Sequence, residues 1–325
     1  MFKMNSLKFI ILSVMIVGLG ACSKNKDTSV DLAGIQVDTD ITRFEQQFYT
    51  SSSEDLGSLK TSFTYLFPAN EPDSVWTAKM NDEDELYLYE ASQKEFGDFT
   101  EQEEKLTSLF KHVKYYFPKF VEPKVITILS NIDFNNKVIY ADSLLFISLD
   151  TYLGAEHEAY GDYPKYVKQN FTSKQLIVDV AGEIAKPILR RADSKSYVSN
   201  MIQQGKRLKL IESFLPEADK AAIIGYTPDQ YQWAQANEES IWKYFINKEM
   251  LYSNDPSLTE RFITDAPFSK FYLEVDQSSP GRIGIWFGWQ IINSFMENND
   301  VSLQEMLILE NEEIFKGSKY KPRKK

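Results

Sequence analysis

The chain has 325 residues, with 36 Lys+Arg against 47 Asp+Glu, a formal net charge of -11, two histidines, one cysteine and 43% hydrophobic residues. Its 22 Phe and 18 Tyr exclude a disordered chain, which is poor in large rings, and the acidic balance excludes a nucleic-acid binder, which needs surplus Lys and Arg to track phosphates. One cysteine forbids an internal disulfide, and two histidines leave little for an imidazole-based metal site.

Lys3 and Lys8 form a positive segment ahead of an apolar run from Phe9 to Leu19, broken only by Ser13 and Gly18. That is the length of a secretory signal core and too short to span a bilayer as a mature helix. The run ends Leu19, Gly20, Ala21, Cys22. This resembles a bacterial lipobox, in which small residues enter the signal peptidase cleft and a cysteine thiolate takes the lipid by nucleophilic attack. Residues 1–21 are read as a lipoprotein signal peptide, with Cys22 as the lipidated residue. Residues 22–38 are read as lipid anchor and flexible tether, small and polar from Ser23 to Ser29. Two or more acyl chains anchor a protein stably, so the mature chain is expected to be membrane-tethered without spanning. Cleavage removes two lysines and no acid, which takes the net charge from -11 to -13. No acidic run follows Cys22 to favour surface export, so the periplasmic face of the envelope is expected; the choice between inner and outer membrane is left open.

Residues 39–325 are read as a single globular domain, with a helical part over residues 39–120 followed by residues 121–325. Asp40 ahead of Ile41, Phe44 and Phe48 predicts a capped amphipathic helix. Residues 53–65 continue in helical style with Leu56, Leu59 and Phe63, up to a loop at Phe67, Pro68 and Pro72. Asp82, Glu83, Asp84 and Glu85 open the next helix, where acids suit the positive end of the dipole. They lack the interleaved Gly and Asn of a calcium loop. A helix beginning near Thr100 carries Leu106, Leu109, Phe110 and Val113 and closes at Pro118. Residues 125–129, 137–140 and 144–149 then read as β-type runs separated by Asn and Asp turns, a small meander of three or four strands. Leu176, Val180, Ile184 and Ile188 recur every four residues on a helix that Pro187 should kink or end. Later helices hold Trp233, Ile241, Trp242, Phe245 and Leu251, and, after the Pro280 and Gly281 turn, Ile283, Phe287, Ile291 and Phe295. The last ten residues form a basic tail.

Glu183 sits mid-helix between Gly182 and Lys186, on a helix that follows the small sheet. A zinc peptidase of the zincin type carries His-Glu-x-x-His at that topological position, with two imidazoles on zinc and the glutamate polarising its water. The similarity stops at the flanks, because Gly182 offers no ligand and the Lys186 ammonium would repel the cation. Glu238 and Glu239 lie on a later helix, where a glutamate-type zincin places its third ligand. An E-x-x-K step is equally a surface ion pair. His157, followed by Glu158 and then Tyr160 and Gly161, reads as loop, and His112 lies among Phe110, Tyr115 and Phe117 as a packing residue. No G-x-S-x-G elbow, P-loop, G-x-G-x-x-G or thiol nucleophile is present. Gly281, Gly284 and Gly288 lie at helical spacing between aromatic residues and are read as a stripe that lets another element approach. No catalytic residue, metal or cofactor is assigned.

Several segments together carry a family resemblance: the lipobox, DITRFEQQF over residues 40–48, KHVKYYFP over 111–118, KVIYADSLLFISLD over 137–150, IGYT over 224–227, NEESIWKYF over 237–245, APFSKFYL over 266–273 and SPGRIGIWFGWQ over 279–290. In this order they resemble the gliding-motility lipoprotein family GldB of Bacteroidetes, across essentially the whole mature chain. The resemblance implies a lipoprotein required for gliding, associated with the envelope machinery that moves surface adhesins and is linked to type IX secretion. Its partners would be other gliding-motility envelope proteins, together with the membrane through the anchor. The family is also similar to zincin-like peptidases. The expected fold is therefore α+β and predominantly helical: a β-meander sheet packed against helices in a degenerate zincin-like arrangement over residues 121–325, acting as a pseudo-peptidase scaffold. Two alternatives stand beside the scaffold. One is a residual hydrolase using Glu183 and Glu239, or a metal held by His157. The other is a small-ligand module in the former zinc cleft, with Lys186 attracting an anion.

Overall fold

In the computed structural model the described residues are 30–323, apart from Asp142 and Asp193. Cys22, the signal segment and most of the tether lie outside them. Strands β1 (Ile41–Arg43), β2 (Lys124–Ile128), β3 (Val138–Ala141) and β4 (Leu144–Ser148) form one mixed sheet in the order β1-β2-β4-β3. β1 runs parallel to β2 with Thr42 opposite Ile126, β2 runs parallel to β4 with Ile126 opposite Phe146, and β3 is antiparallel to β4.

Two sequence expectations change here. The strands do not form a meander, because β4 inserts between β2 and β3. The physical reason is burial. Val125, Ile126 and Thr127 of β2 and Leu145, Ile147 and Ser148 of β4 are almost wholly enclosed, whereas Ile139 on β3 is 41% exposed, which suits an edge. Residues 41–43 start no helix. They extend the sheet, the Asp40 carbonyl accepts from Val125 N–H (2.8 Å), and helix α1 (Phe44–Tyr49) begins only afterwards.

The remaining helices are α2 (Leu56–Ser62), α3 (Asp73–Met80), α4 (Glu83–Phe96), α5 (Thr100–Tyr116), α6 (Lys165–Lys168), α7 (Ser173–Ala185), α8 (Tyr197–Phe214), α9 (Lys220–Ile224), α10 (Pro228–Asn247), α11 (Ser257–Phe262), α12 (Ile283–Asn298), α13 (Leu303–Ile308) and α14 (Asn311–Ser318). Their ends follow local chemistry. Asp82 caps α4 by accepting from Asp84 and Glu85 N–H (3.1 and 3.0 Å). Thr227 and Gln230 form a reciprocal capping box ahead of Pro228 on α10, and Ser302 and Glu305 do the same for α13. α7 stops at Ala185 and gives way to a tight turn over Lys186–Ile188, as Pro187 requires.

The sheet separates two apolar layers. Val125, Val138, Leu145 and Ile147 join the large core built on α5, α7, α8, α10 and α12. On the other face Ile126 meets Phe44, Phe48, Leu56, Phe63 and Phe67, with Phe44 and Phe63 edge-to-face at 5.0 Å. Glu45 is fully buried between the layers, where it accepts from Arg43 Nε (2.6 Å) and the Thr127 hydroxyl. β1 therefore ties the first residues of the folded chain to a strand eighty residues later, and residues 31–325 form one compact unit. No helix among the described residues is long and apolar enough to cross a membrane.

The centre of the molecule is the crossing of α8 and α12. A Cβ on Gly288 would stand 1.7 Å from the Met201 carbonyl oxygen, and one on Gly205 would stand 2.2 Å from the Gly288 carbonyl oxygen. The two backbones thus touch directly, with Gly288 of the glycine stripe and Gly205 of α8 supplying the room for it, while Gly284 makes room for the Tyr197 hydroxyl and the Phe262 carbonyl. The basic C-terminal segment is held against the body as far as Arg323. After α14, Tyr320 packs edge-on against Trp242 (5.0 Å), and its hydroxyl donates to Glu238 Oε1 (2.7 Å). The Arg323 backbone N–H reaches the same oxygen (3.2 Å).

Candidate functional site

α7 carries Gln175, Asp179, Gly182 and Glu183 along one face, as the 3.6-residue repeat dictates. Across from it α8 presents Gln204, Arg207, Leu208 and Ile211. The turn after α9 and Arg282 at the head of α12 close the far side. Together they line a cleft of about 400 Å³, within the size range of small-ligand sites.

One wall is an ion-pair cluster. Asp179 accepts from the Lys137 ammonium, from the Tyr152 hydroxyl (2.9 Å) and from Gln175 Nε2 (3.1 Å). The same ammonium lies 5.1 Å from the centre of the Tyr152 ring and 5.8 Å from that of Phe171. Burial, and after it the Asp179 carboxylate, push the Tyr152 hydroxyl well above the ordinary phenol range, so it stays a donor.

The opposite wall is built on Gly225, whose φ of +72° is the left-handed conformation that glycine adopts without strain. Its carbonyl accepts from Gln169 Nε2 and Asn170 Nδ2, both at 3.1 Å. Arg282, itself at φ 59°, is fixed by Ile224 O (2.9 Å from Nη2) and by Asp265 Oδ1 (3.0 Å from Nε). The Tyr226 hydroxyl donates to Gly281 O (2.7 Å). Segments 224–227, 266–273 and 279–290 therefore meet at this wall, joined from the first wall by Lys137.

The α7–α8 contact is the third part. Glu183 is held by Lys186 from the turn that follows α7, at 2.5 Å from Oε1 and 2.7 Å from Oε2. A Cβ on Gly182 would stand 2.7 Å from Arg207 Nη2, so the guanidinium occupies the space a side chain at 182 would need. Arg207 Nε is buried with no hydrogen-bond partner among the described residues.

The family model described as gliding motility protein GldB matches residues 25–322. The chain belongs to the GldB gliding-motility family. No curated protein and no solved structure matches it. The matched range contains both apolar layers and every residue lining the cleft.

Within this GldB body, Gly182, Glu183 and Lys186 lie together on α7 and its following turn, as the spacing implies. Glu239 does not join them: it faces outward on α10, where it pairs with Lys243 (2.8 Å), and it does not line the cleft. Its neighbour Glu238 is 2% exposed and serves the Tyr320 strap. His157 caps a short turn, its Nδ1 accepting from Ala159 N–H (3.3 Å), between the rings of Tyr87 and Tyr160. His112 is buried on α5 and donates from Nδ1 to Ser108 O (2.8 Å). Among the described residues no three His, Cys, Asp or Glu side chains gather as a metal cluster. Lys186 lies outside the cleft proper, against Arg190, Arg191 and Gln204.

Sequence reasoning missed Arg207, Arg282 and the Lys137–Asp179 pair. Arg282 and Lys137 lie inside segments that carried the family resemblance, and polar residues within such strings are a usable signal. Arg207 had none, because its helix was not recognised.

Proposed function

We propose that this GldB-family chain is a lipid-anchored, non-catalytic component of the gliding machinery, facing the periplasm. Its surface binds other envelope proteins of the apparatus linked to type IX secretion. The anchor is Cys22, supported by the order of positive segment, apolar run and lipobox and by the lipoprotein label that the family carries. The observation that supports a scaffold over a hydrolase is the state of α7. The carboxylate standing where a zincin keeps its water-polarising glutamate is engaged by Lys186, and the flanking position is filled by Arg207 instead of an imidazole. The body is then a zincin-like arrangement turned to a structural use.

A strain carrying Glu183→Gln at the normal locus tests this directly. Gliding speed should equal that of the parent at equal protein level. Loss of gliding with the protein present at its normal level would sink the scaffold reading. The anchor is checked separately by metabolic labelling with a fatty acid: Cys22→Ser should lose the label and leave the membrane fraction, and retained label refutes lipidation at that residue.

A further inference from the structure

Six charged side chains line the cleft: Lys137, Arg207 and Arg282 against Asp179, Glu183 and Asp265. Each acid is already engaged, Asp179 by Lys137, Asp265 by Arg282, and Glu183 by Lys186 from outside. The cation left over is Arg207. Its guanidinium lies over Gly182, and its buried Nε has no acceptor among the described residues. A guanidinium presents five donors in a planar fork, and an unmatched buried donor is costly. Arg190 and Arg191 are exposed beside Lys186, and with Gln204 and Arg207 they line a shallow depression that adjoins the cleft. On a chain of net charge -11 this is a local positive entry able to steer an anion inward.

We propose that the cleft binds a sugar bearing a single carboxylate, gripped through that carboxylate by Arg207. The charge count selects the monoanion. With the three acids already paired, one unmatched guanidinium remains, so a single negative charge balances it whereas a doubly charged phosphate leaves one charge uncompensated, and the planar pair of carboxylate oxygens matches the guanidinium fork. The walls select the body. Asn135 and Gln204 each offer an amide donor and an amide acceptor suited to hydroxyls, and Phe134 and Tyr166 add apolar ring surface beside them. This binding goes beyond the scaffold role and does not depend on whether Glu183 takes part in chemistry.

The test uses the full chain in detergent micelles, titrated by calorimetry at low salt with three matched hexoses: D-glucuronate, D-glucose and D-glucose 6-phosphate. Glucuronate should bind saturably, and the other two at least tenfold more weakly. Arg207→Gln should weaken glucuronate at least tenfold. Gly182→Ala raises helix propensity while its Cβ displaces Arg207 Nη2. It should therefore weaken glucuronate to a similar extent with an unchanged or higher thermal midpoint, which separates loss of the site from loss of the fold. Replacing exposed Arg190 and Arg191 by Gln should flatten the salt dependence of binding. Absence of glucuronate binding by the unmodified chain, equal binding of glucose, tighter binding of glucose 6-phosphate, or full affinity in both Arg207→Gln and Gly182→Ala overturns the proposal.

Discussion

Glu212 on α8 shows how a single carboxylate joins the two central helices. It lies 2.9 Å from Lys209 Nζ and 3.5 Å from Lys220 Nζ, and it accepts from the Trp289 indole N–H on α12 at 3.3 Å. Burial alone would raise its pKa, but the two lysines and the indole offset that and leave it below the ordinary glutamate value. A depressed folded-state pKa contributes stability in full above the ordinary value, and that stability is lost as pH falls through the folded-state value. Glu212→Gln should therefore lower the urea midpoint at neutral pH, and its gap to the parent should shrink as the solution is acidified below the ordinary carboxylate range. A gap that stays constant with pH would show that the charge of Glu212 contributes nothing. Asp150 behaves with the opposite sign. It is fully buried and its pKa is raised by burial, although N–H groups of Ser130 and Ile132 point at it and work the other way. Its ionisation weakens the folded state as pH rises from the ordinary aspartate value toward the raised one.

Among the elements, the glycines at the α8–α12 crossing carry the sharpest mutational consequence. Gly288→Ala places a methyl group against backbone that cannot swing aside, since Met201 O would be 1.7 Å away. It should cost at least about 3 kcal/mol by urea or thermal denaturation. Gly57→Ala, on α2 with nothing within 4 Å, is the matched control. It should be neutral or stabilising by about 0.5–1 kcal/mol. The same elements explain what could be read from sequence. α4, α5 and α12 were legible from the signals at their ends, Asp82, Pro118 and the Pro280 and Gly281 turn, and α10 from its apolar positions Trp233, Ile241, Trp242 and Phe245, although Leu251 falls beyond its end at Asn247. β1 was not, because three residues are too few to display a period and Asp40 imitates a cap; only pairing with β2 decides their state. α8 escaped because Gly205 and Lys206 interrupt its stripe. In the fold Gly205 is contact surface, and Lys206 is buried with its ammonium 2.7 Å from Leu309 O. The site inherited this gap. Residues 182 and 183 lie on α7 and Lys186 in the turn that follows it, but the side chain that gives them their meaning lies on the helix that went unread.

At the scale of the whole molecule, the N-terminal strand and the C-terminal strap are both built into the body. Tyr320 ties the strap down through Glu238, whose other oxygen, Oε2, is buried without a partner among the described residues. Burial and the Glu238 carboxylate hold the Tyr320 hydroxyl far above the ordinary phenol range, so it remains a donor at all physiological pH. Tyr320→Phe keeps the ring against Trp242 but removes that donor, and should cost about 1–3 kcal/mol in a denaturation experiment. A stability equal to the parent's would show that the strap is held by its rings alone.

The strap also governs the order in which the chain can acquire its structure. Tyr320 covers Trp242 and Phe287, and β1 waits for a partner that follows it by eighty residues. Contacts of such long sequence separation must pay loop-closure entropy before they return any stabilisation, which slows folding. A nascent chain cannot complete the cover over Trp242 and Phe287 until the segment around Tyr320 has emerged. Until then it exposes an aromatic face, and that interval is when it most needs a chaperone to hold it.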